Sequence, residues 1–336
     1  MNSNLHIKTN ALLNKCLQSS RVYNINPIDN FAVIDYIRNV YECMSLEQAP
    51  YGNNKSVKVP KISEADYQLG PLKQVLNIKS IVESNCRYID DVILHGSVAT
   101  LDYIANWSDL DLMVVLKEEA LETEQAYATA RHEIRSINSC TTRFDKTQHH
   151  GAHVLIDKDF EMYPNVFLPC ELWKDAKSLL ADKEYHFWNV PSCEQERNRL
   201  LNIHETFSKA SKSKFLHHHP FWSEYLEDDF KNAHNGMYQM KYFLSVIMLL
   251  PSLFMNLQEV YCRKKDSFEL CREYISSKNY EIIDRASQIR STFAYSTRLQ
   301  NNRIPPWLCG DLGPKYFERA AALTEEMVNK CNITTM

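Results

Sequence analysis

The stretch LHGSVATLDYIANWSDLDL, from Leu94 to Leu112, decides how this chain can be interpreted. It contains Gly96, one of only seven glycines in 336 residues, directly after an apolar run. A glycine lets the backbone turn sharply and approach a ligand closely. The carboxylates Asp109 and Asp111 follow Ser97 after a short spacer. The glycine-serine corner and the acid pair therefore need a common explanation.

Strand-like and helical patterns surround this stretch. DDVILHGS (90–97) is a short β-branched run, and LDLMVVL (110–116) is nearly continuously apolar, as expected of a strand that is covered on both faces. Residues 118–138 are polar with apolar residues at helical spacing, which predicts an amphipathic crossover helix. HVLI (153–156) is a third strand candidate. The order strand, helix, strand predicts an α/β layer.

The rest of the chain has mainly helical patterns. Residues 31–44 and 67–84 suit helices, and the polar stretch 51–66 between them predicts a turn-rich connection. After Pro169, helical patterns separated by prolines continue almost to the end, from 171–182 onward. This predicts an antiparallel helical bundle. We therefore expect an α+β fold, with an α/β layer built on a mixed sheet, plus a C-terminal α-helical bundle.

The length of the chain allows more than one domain. We expect an N-terminal helical segment at residues 1–85 that packs on an α/β domain at 86–189. The helical bundle should follow at 190–336.

Composition restricts the partners and the compartment. The net charge of −4 provides no bulk cationic field, so nucleic acid is not indicated as a partner. Ten cysteines without a CxxC pair indicate free thiols in a reducing compartment. The first residues lack the apolar core of a signal peptide. The longest apolar run, Tyr242 to Leu257, is short for a membrane span and is broken by Ser245, Pro251 and Asn256. We expect a soluble cytoplasmic protein without a membrane partner.

The acid pair and the glycine-serine corner suggest phosphate chemistry. Ser97 follows a strand and opens a short helix, where backbone N–H groups and the helix dipole favour a phosphate. Asp109 and Asp111 stand two apart on a strand, so both side chains project from the same face. Their repulsion is relieved if a divalent cation lies between them, and oxygen ligands select Mg²⁺ or Mn²⁺. The alternative is that the two aspartates only flank the start of a strand and that Gly96 only ends one.

The Gly-Ser corner, the spacer and SDLDL resemble the signature of the polymerase-beta-type nucleotidyltransferase superfamily, over about residues 90–160. The resemblance implies that Gly96 and Ser97 bind phosphates and that Asp109 and Asp111 bind metal. Ser108 corresponds to the serine that commonly precedes the first aspartate. The implied reaction is transfer of a nucleoside monophosphate from a nucleoside triphosphate, ATP among them, to an acceptor hydroxyl with Mg²⁺ or Mn²⁺. The acceptor, the preferred base and a homo-oligomeric state stay open.

Two departures from the family pattern concern the phosphate loop and the third carboxylate. Leu101 stands where many members have a second glycine. Members normally carry a third carboxylate on the strand after the crossover helix, and the candidates here are Asp145 and Asp157. We select Asp145, which would help to activate the nucleophile.

A histidine cluster, QHHGAH, follows Asp145. His149, His150 and His153 would line the nucleotide pocket, act as a general base or replace the missing carboxylate at the metal. His150 is our catalytic candidate from this cluster. The alternative is a hairpin turn at His150-Gly151 with solvated imidazoles. The unsettled third carboxylate also supports a competing hypothesis, a catalytically silent member that binds a nucleotide as a sensor or scaffold. An acid within reach of the aspartate pair would favour the enzyme.

Overall fold

The computed structural model describes residues 3–18, 27–46, 53–105, 107–145, 148, 150–190, 193–213, 236–292 and 314–332. The chain divides into two compact units, Met1–Ser192 and Cys193–Met336, which we call unit one and unit two. The finer division of unit one near residue 85 stays a prediction.

Unit one is a mixed α/β body. Its helices and strands, in chain order, are α1 (Ser3–Gln18), α2 (Pro27–Leu46), β1 (Asn53–Val59), α3 (Lys73–Asn85), β2 (Ile89–His95), α4 (Gly96–Ala99), β3 (Asp111–Leu116), α5 (Glu124–Phe144), β4 (His153–Ile156), α6 (Asp157–Glu161), β5 (Tyr163–Pro164), β6 (Lys177–Ser178) and β7 (Lys183–Val190). Short 3₁₀ helices lie at Glu64–Tyr67, Gly70–Leu72, Glu118–Leu121 and Cys170–Asp175.

The central sheet has the strand order β4-β3-β2-β6. β2 runs antiparallel to β3, with His95 opposite Asp111, and β3 runs parallel to β4, with Met113 opposite His153. The expected mixed sheet is therefore confirmed. Because β2 is antiparallel to β3 and β3 is parallel to β4, the C-terminal end of β2 lies beside the N-terminal ends of β3 and β4.

Both faces of the central sheet are covered, as the apolar run at 110–116 predicted for its strand. One face packs against helices α1, α2, α3 and α5, and its buried residues include Val92, Leu94, Leu112, Val114 and Val154. The other face packs against aromatic residues, and its core includes Ile93, Met113, Val115, Leu155, Trp173 and Phe187. Full burial of one such side chain stabilises a fold by about 1.5–3 kcal/mol.

The outer edge of β4 is paired by side chains of α1. Asn14 Nδ2 donates to the carbonyl of Val154 (2.9 Å), and Asn14 Oδ1 accepts from the Val154 N–H (2.7 Å). An amide side chain thus takes the place of a neighbouring strand, which satisfies backbone groups that would otherwise be buried without a partner. The N-terminal helix therefore helps to hold β4 in position.

A second sheet, with the order β1-β7-β5, corrects two expectations. The stretch 51–66 is not only a connection, because it contains β1, which pairs antiparallel with β7. Residues 171–182 are not a regular helix either: a 3₁₀ helix is followed by the short strand β6. The reason is tertiary. Tyr185 and Phe187 of β7 are buried beside Trp173, and this packing outweighs a weak local helical pattern.

The crossover helix is present, but with different bounds. α5 begins at Glu124 because Thr123 caps it, with the Thr123 Oγ1 accepting from the Ala126 N–H (3.1 Å). The helix then extends to Phe144, beyond the predicted end at residue 138.

Unit two is helical in the part that the structure describes, which agrees with the expected bundle. Its helices are α7 (Cys193–Ser213), α8 (Gly236–Leu257), α9 (Lys264–Arg272), α10 (Ser277–Thr292) and α11 (Pro314–Lys330). The window Met240–Leu257 of α8 is long and apolar enough to cross a membrane, but 72% of it is buried inside the protein. Such burial is what a core helix of a bundle shows.

Candidate active site

Gly96, Asp109, Asp111 and His150 lie together at one end of the strands of the central sheet. β2 ends at His95 and α4 begins at Gly96, while β3 begins at Asp111. His150 precedes β4, which runs parallel to β3. The topology therefore brings together residues from three separate segments of the chain.

Gly96 is required at its position for two reasons. Its φ is +67°, in the left-handed region that favours glycine. A Cβ at this position would also overlap Asp111 Oδ2 and lie 3.2 Å from Asp111 Cγ. The absent side chain thus leaves the space that the Asp111 carboxylate occupies.

The loop from Ser97 to Ser108 is closed by its own hydrogen bonds. The Ser97 carbonyl accepts from the Asp102 N–H (3.1 Å). Ser108 Oγ accepts from the Ile104 N–H (2.9 Å), and the Ser108 N–H donates to the Ile104 carbonyl (2.9 Å). Ser108 therefore shapes the turn directly before Asp109, and roles of Ser97 and Ser108 in nucleotide binding stay predictions.

Leu101 lies in the same loop and adopts a φ of +61°. Few non-glycine residues adopt this conformation. Its side chain is 46% exposed. The residue that replaces the family's second glycine thus keeps the backbone conformation that a glycine would favour.

Asp109, Asp111 and His150 form a compact group. His150 Nε2 lies 3.5 Å from Asp109 Oδ2 and 3.4 Å from Asp111 Oδ1. One ligand atom from each residue lies within 4.8 Å of the others, and no other such group of His, Cys, Asp or Glu occurs among the described residues. The three side chains are 21–29% exposed, so the group is open to solvent and ligands. Two carboxylates and one imidazole are donors that fit a divalent cation.

The charges of the group offset one another. Burial lowers the pKa of His150, but hydrogen bonds and charge from Asp109 and Asp111 together outweigh burial and raise it to about 10. The imidazole therefore holds a proton at neutral pH when no cation is bound. An imidazolium between two carboxylates relieves the repulsion that the acid pair would otherwise suffer.

The ring of His150 is oriented by backbone groups. Its Nδ1 lies 3.1 Å from the Gly151 carbonyl, so Nδ1 carries a proton and donates it, and Nε2 faces the two carboxylates. Gln148 holds the surrounding backbone. Its Nε2 donates to the His150 carbonyl (3.0 Å), and its Oε1 accepts from the N–H of Leu110 (3.1 Å), which lies between the two aspartates.

Comparison with known families gives a match to the segment that contains the acid pair. Residues 76–144 match the family model described as "Nucleotidyltransferase domain". The matched segment is similar to nucleotidyltransferase domains. The resemblance to the polymerase-beta-type superfamily, inferred from the Gly-Ser corner and SDLDL, is thereby confirmed. No significant match was found among curated proteins or among solved structures.

The match to the nucleotidyltransferase domain includes Asp109 and Asp111 and ends before Asp145 and His150. Asp145 follows the end of α5 and is 9% exposed, and its carbonyl accepts from the Gln148 N–H (3.1 Å). Asp145 is not a member of the metal-capable group, and its catalytic role stays a prediction.

The other candidates for a third ligand lie elsewhere or outside the described residues. Asp157 follows the far end of β4 and begins α6, whereas Asp111 lies at the start of the parallel strand β3. His153 begins β4 and packs against Phe167, with ring centroids 4.8 Å apart. His149 lies outside the described residues.

Sequence reasoning overlooked His95 and Gln148. Burial lowers the pKa of His95, Asp111 opposes this effect and His150 adds to it, so His95 is neutral at pH 7. Its position directly before Gly96 could have indicated a place at the site. Gln148 stands beside the noted histidines, but no local pattern shows that it bonds to Leu110.

Proposed function

We propose that this protein is a nucleotidyltransferase that moves a nucleoside monophosphate from a nucleoside triphosphate to an acceptor hydroxyl. The observation that carries the proposal is the Asp109-Asp111 pair beside Gly96 within a matched nucleotidyltransferase domain. The acceptor oxygen forms a bond to the α-phosphorus, the bond from that phosphorus to the bridging oxygen breaks, and pyrophosphate leaves. The acceptor proton passes to a base.

The residues of the site have distinct roles in this proposal. Gly96 lets the phosphates approach the backbone, and the N–H groups at the start of α4 donate to phosphate oxygens. Asp109 and Asp111 hold a divalent cation, Mg²⁺ or Mn²⁺, which supplies neutralising charge to the phosphates when it is bound. Asp145 and His150 are the candidates for the group that accepts the acceptor's proton, and His150 can do so only in its deprotonated form.

Fixed positions of charge and reactants account for most catalysis in phosphoryl chemistry. The hydrogen bonds of Gln148 to the backbone of Leu110, between the two aspartates, and to the carbonyl of His150 support such fixed positions. The proposal also includes a cytoplasmic location. Its partners are a nucleoside triphosphate and an acceptor that is not identified.

A second candidate function is a catalytically silent, nucleotide-binding sensor or scaffold. The observation that favours it is that the imidazole of His150 lies beside the acid pair. Members of the superfamily normally have a third carboxylate with their acid pair. A protonated imidazole there cannot accept a further proton from an attacking hydroxyl.

Calorimetric titration of the four nucleoside triphosphates, each with Mg²⁺ and with Mn²⁺, tests the proposal. The proteins are the wild type, Asp109→Ala/Asp111→Ala and the control Asp35→Ala/Asp66→Ala, which removes two exposed carboxylates of unit one. Pyrophosphate release is followed in parallel after cell extract is added. We expect binding and release in the wild type and the control, and neither in the site variant.

The other outcomes decide between the candidates. Nucleotide binding without pyrophosphate release favours the silent binder. Equal binding by the site variant and the wild type contradicts both candidates, since both place the nucleotide at the acid pair.

A further inference from the structure

The third member of the metal-capable group is a nitrogen donor. Asp109 and Asp111 contribute carboxylate oxygens, and His150 contributes Nε2 at 3.5 and 3.4 Å from them. These distances suit three donor atoms that surround one cation. The group therefore offers one nitrogen and a formal charge of −2, where three carboxylates would offer only oxygens and −3.

The orientation of His150 is that of a metal-binding histidine. A metal-ligating imidazole almost always donates its other ring N–H to a carboxylate, a backbone carbonyl or water. His150 Nδ1 has this contact with the Gly151 carbonyl at 3.1 Å, which leaves Nε2 to face the carboxylates. Gln148, which is 8% exposed, holds the His150 carbonyl and so fixes the backbone from which the ring projects.

We infer that His150 Nε2 is a ligand of the cation at this site, and that the mixed nitrogen and oxygen donors select Mn²⁺ over Mg²⁺. The inference rests on the proposed function, because it concerns the cation of the same site. It identifies the cofactor class as a first-row transition-metal ion.

The chemistry of the two ions supports this selection. Mg²⁺ prefers oxygen donors in near-ideal octahedral geometry and gives up water reluctantly. Its binding therefore depends strongly on the negative charge of its ligands, which is lower here. Mn²⁺ accepts carboxylates and the phosphate oxygens of a nucleotide, as Mg²⁺ does, but as a first-row transition-metal ion it binds an imidazole nitrogen more readily than Mg²⁺.

Pulsed electron paramagnetic resonance of the Mn²⁺-loaded full-length protein, without nucleotide, tests the ligand directly. A ¹⁴N coupling from a coordinated imidazole should modulate the echo of the wild type. The coupling should disappear in His150→Asp and persist in the control His132→Asp, which replaces an exposed histidine of α5. In wild-type protein labelled with ¹⁵N-histidine, the ¹⁴N pattern should change to that of ¹⁵N. This arm requires no substitution and does not depend on the folding of a variant.

Calorimetry with Mn²⁺ and Mg²⁺ alone tests the selectivity. We expect the wild type to bind Mn²⁺ more tightly than Mg²⁺. His150→Asp, which restores three carboxylates, should bind Mg²⁺ more tightly than the wild type does. The ratio of the two dissociation constants should change by about tenfold or more, the scale on which changes around metal ligands act.

Several results would overturn the inference. They are absence of Mn²⁺ binding by the wild type, absence of nitrogen coupling in its spectrum, coupling that persists in His150→Asp, and an unchanged selectivity ratio. Coupling that is lost on replacement of His95, and not of His150, would show that His95 is the nitrogen ligand. These measurements use no nucleotide, so a nitrogen-ligated Mn²⁺ without nucleotidyl transfer would contradict only the proposed function. Transfer by a protein whose bound Mn²⁺ shows no nitrogen coupling would contradict only this inference.

Discussion

Gly96 connects backbone conformation with the placement of charge. Its positive φ turns the chain from β2 into α4, and its missing side chain leaves room for the Asp111 carboxylate. A glycine that served only the turn would tolerate alanine at a modest cost. At Gly96 the added methyl group would also displace a proposed metal ligand.

We predict that Gly96→Ala weakens metal binding, whereas Gly70→Ala does not. Both glycines have positive φ, +67° and +54°, but a Cβ at Gly70 meets no atom within 4 Å. Each substitution should therefore cost about 1–2 kcal/mol of stability through the left-handed conformation. Only Gly96→Ala should reduce Mn²⁺ affinity, by tenfold or more on the scale of about 1.4 kcal/mol per tenfold change. Denaturant unfolding and calorimetry measure the two effects, and equal metal affinities would refute the role given to Gly96.

Leu101 gives a second prediction at this scale. Replacement by glycine removes a left-handed strain of about 1–2 kcal/mol and adds about 0.5–1 kcal/mol of unfolded-state entropy. Leu101→Gly should therefore be neutral or slightly stabilising. Leu69→Gly is the matched control, because Leu69 is also exposed but has a φ of −111° and should lose stability. A loss of stability in Leu101→Gly as large as in Leu69→Gly would show that the strain is absent.

At the scale of elements, the site depends on how β2, β3 and the segment before β4 are joined. Gln148 is the side chain that links two of them, through Leu110 and His150. The contact spans 38 residues of sequence between Leu110 and Gln148. Its two partners therefore come together through the tertiary fold and not through local sequence.

We predict that Gln148→Ala weakens both stability and Mn²⁺ affinity. The loss of buried hydrogen bonds should cost about 1–3 kcal/mol. Release of the His150 backbone should reduce metal affinity about 10–100-fold. Asn165→Ala is the control, because Asn165 is also buried in unit one and its Oδ1 accepts from the Cys170 N–H. That variant should lose stability and keep its metal affinity, and the same pattern in Gln148→Ala would make Gln148 purely structural.

Elements differ in how well the sequence predicts them. β3 was predicted because residues 112–116 are all apolar. A strand that is buried on both faces shows no alternation of polar and apolar residues. β1 and β7 were missed because each depends on the other and on Trp173. A strand stabilised by distant partners has a weak local signal.

At the scale of the whole molecule, unit two carries a buried acid on α7. Burial raises the pKa of Glu196 to about 7, and Arg199 and Asn256 oppose this effect. The folded protein therefore keeps a proton on Glu196 that the unfolded chain releases near pH 4.3. Between these values the folded state binds more protons, so stability falls as pH rises from about 4.3 to about 7.

We predict that Glu196→Gln removes this loss of folding stability with rising pH. The stability of the variant relative to the wild type should be near zero at about pH 4 and should increase to about 3 kcal/mol above about pH 8. Glu205→Gln, an exposed change on the same helix, should show no such dependence. Denaturant unfolding across this pH range measures the difference. A constant difference between Glu196→Gln and the wild type would mean that Glu196 titrates as in the unfolded chain.

The sequence by itself determined the α/β layer, the helical C-terminal part, the glycine-serine corner and the acid pair. These features depend on residues that are close in the chain, such as Gly96 after β2 and two aspartates two positions apart. Only the tertiary structure decided which side chain joins the acid pair. From the sequence, Asp145 was selected as the third carboxylate and Asp157 and the histidine cluster stayed open, because spacing alone does not show which side chain reaches the acid pair. The parallel pairing of β3 with β4 brings the segment before β4, and with it His150, beside Asp111, while Asp157 follows the opposite end of β4.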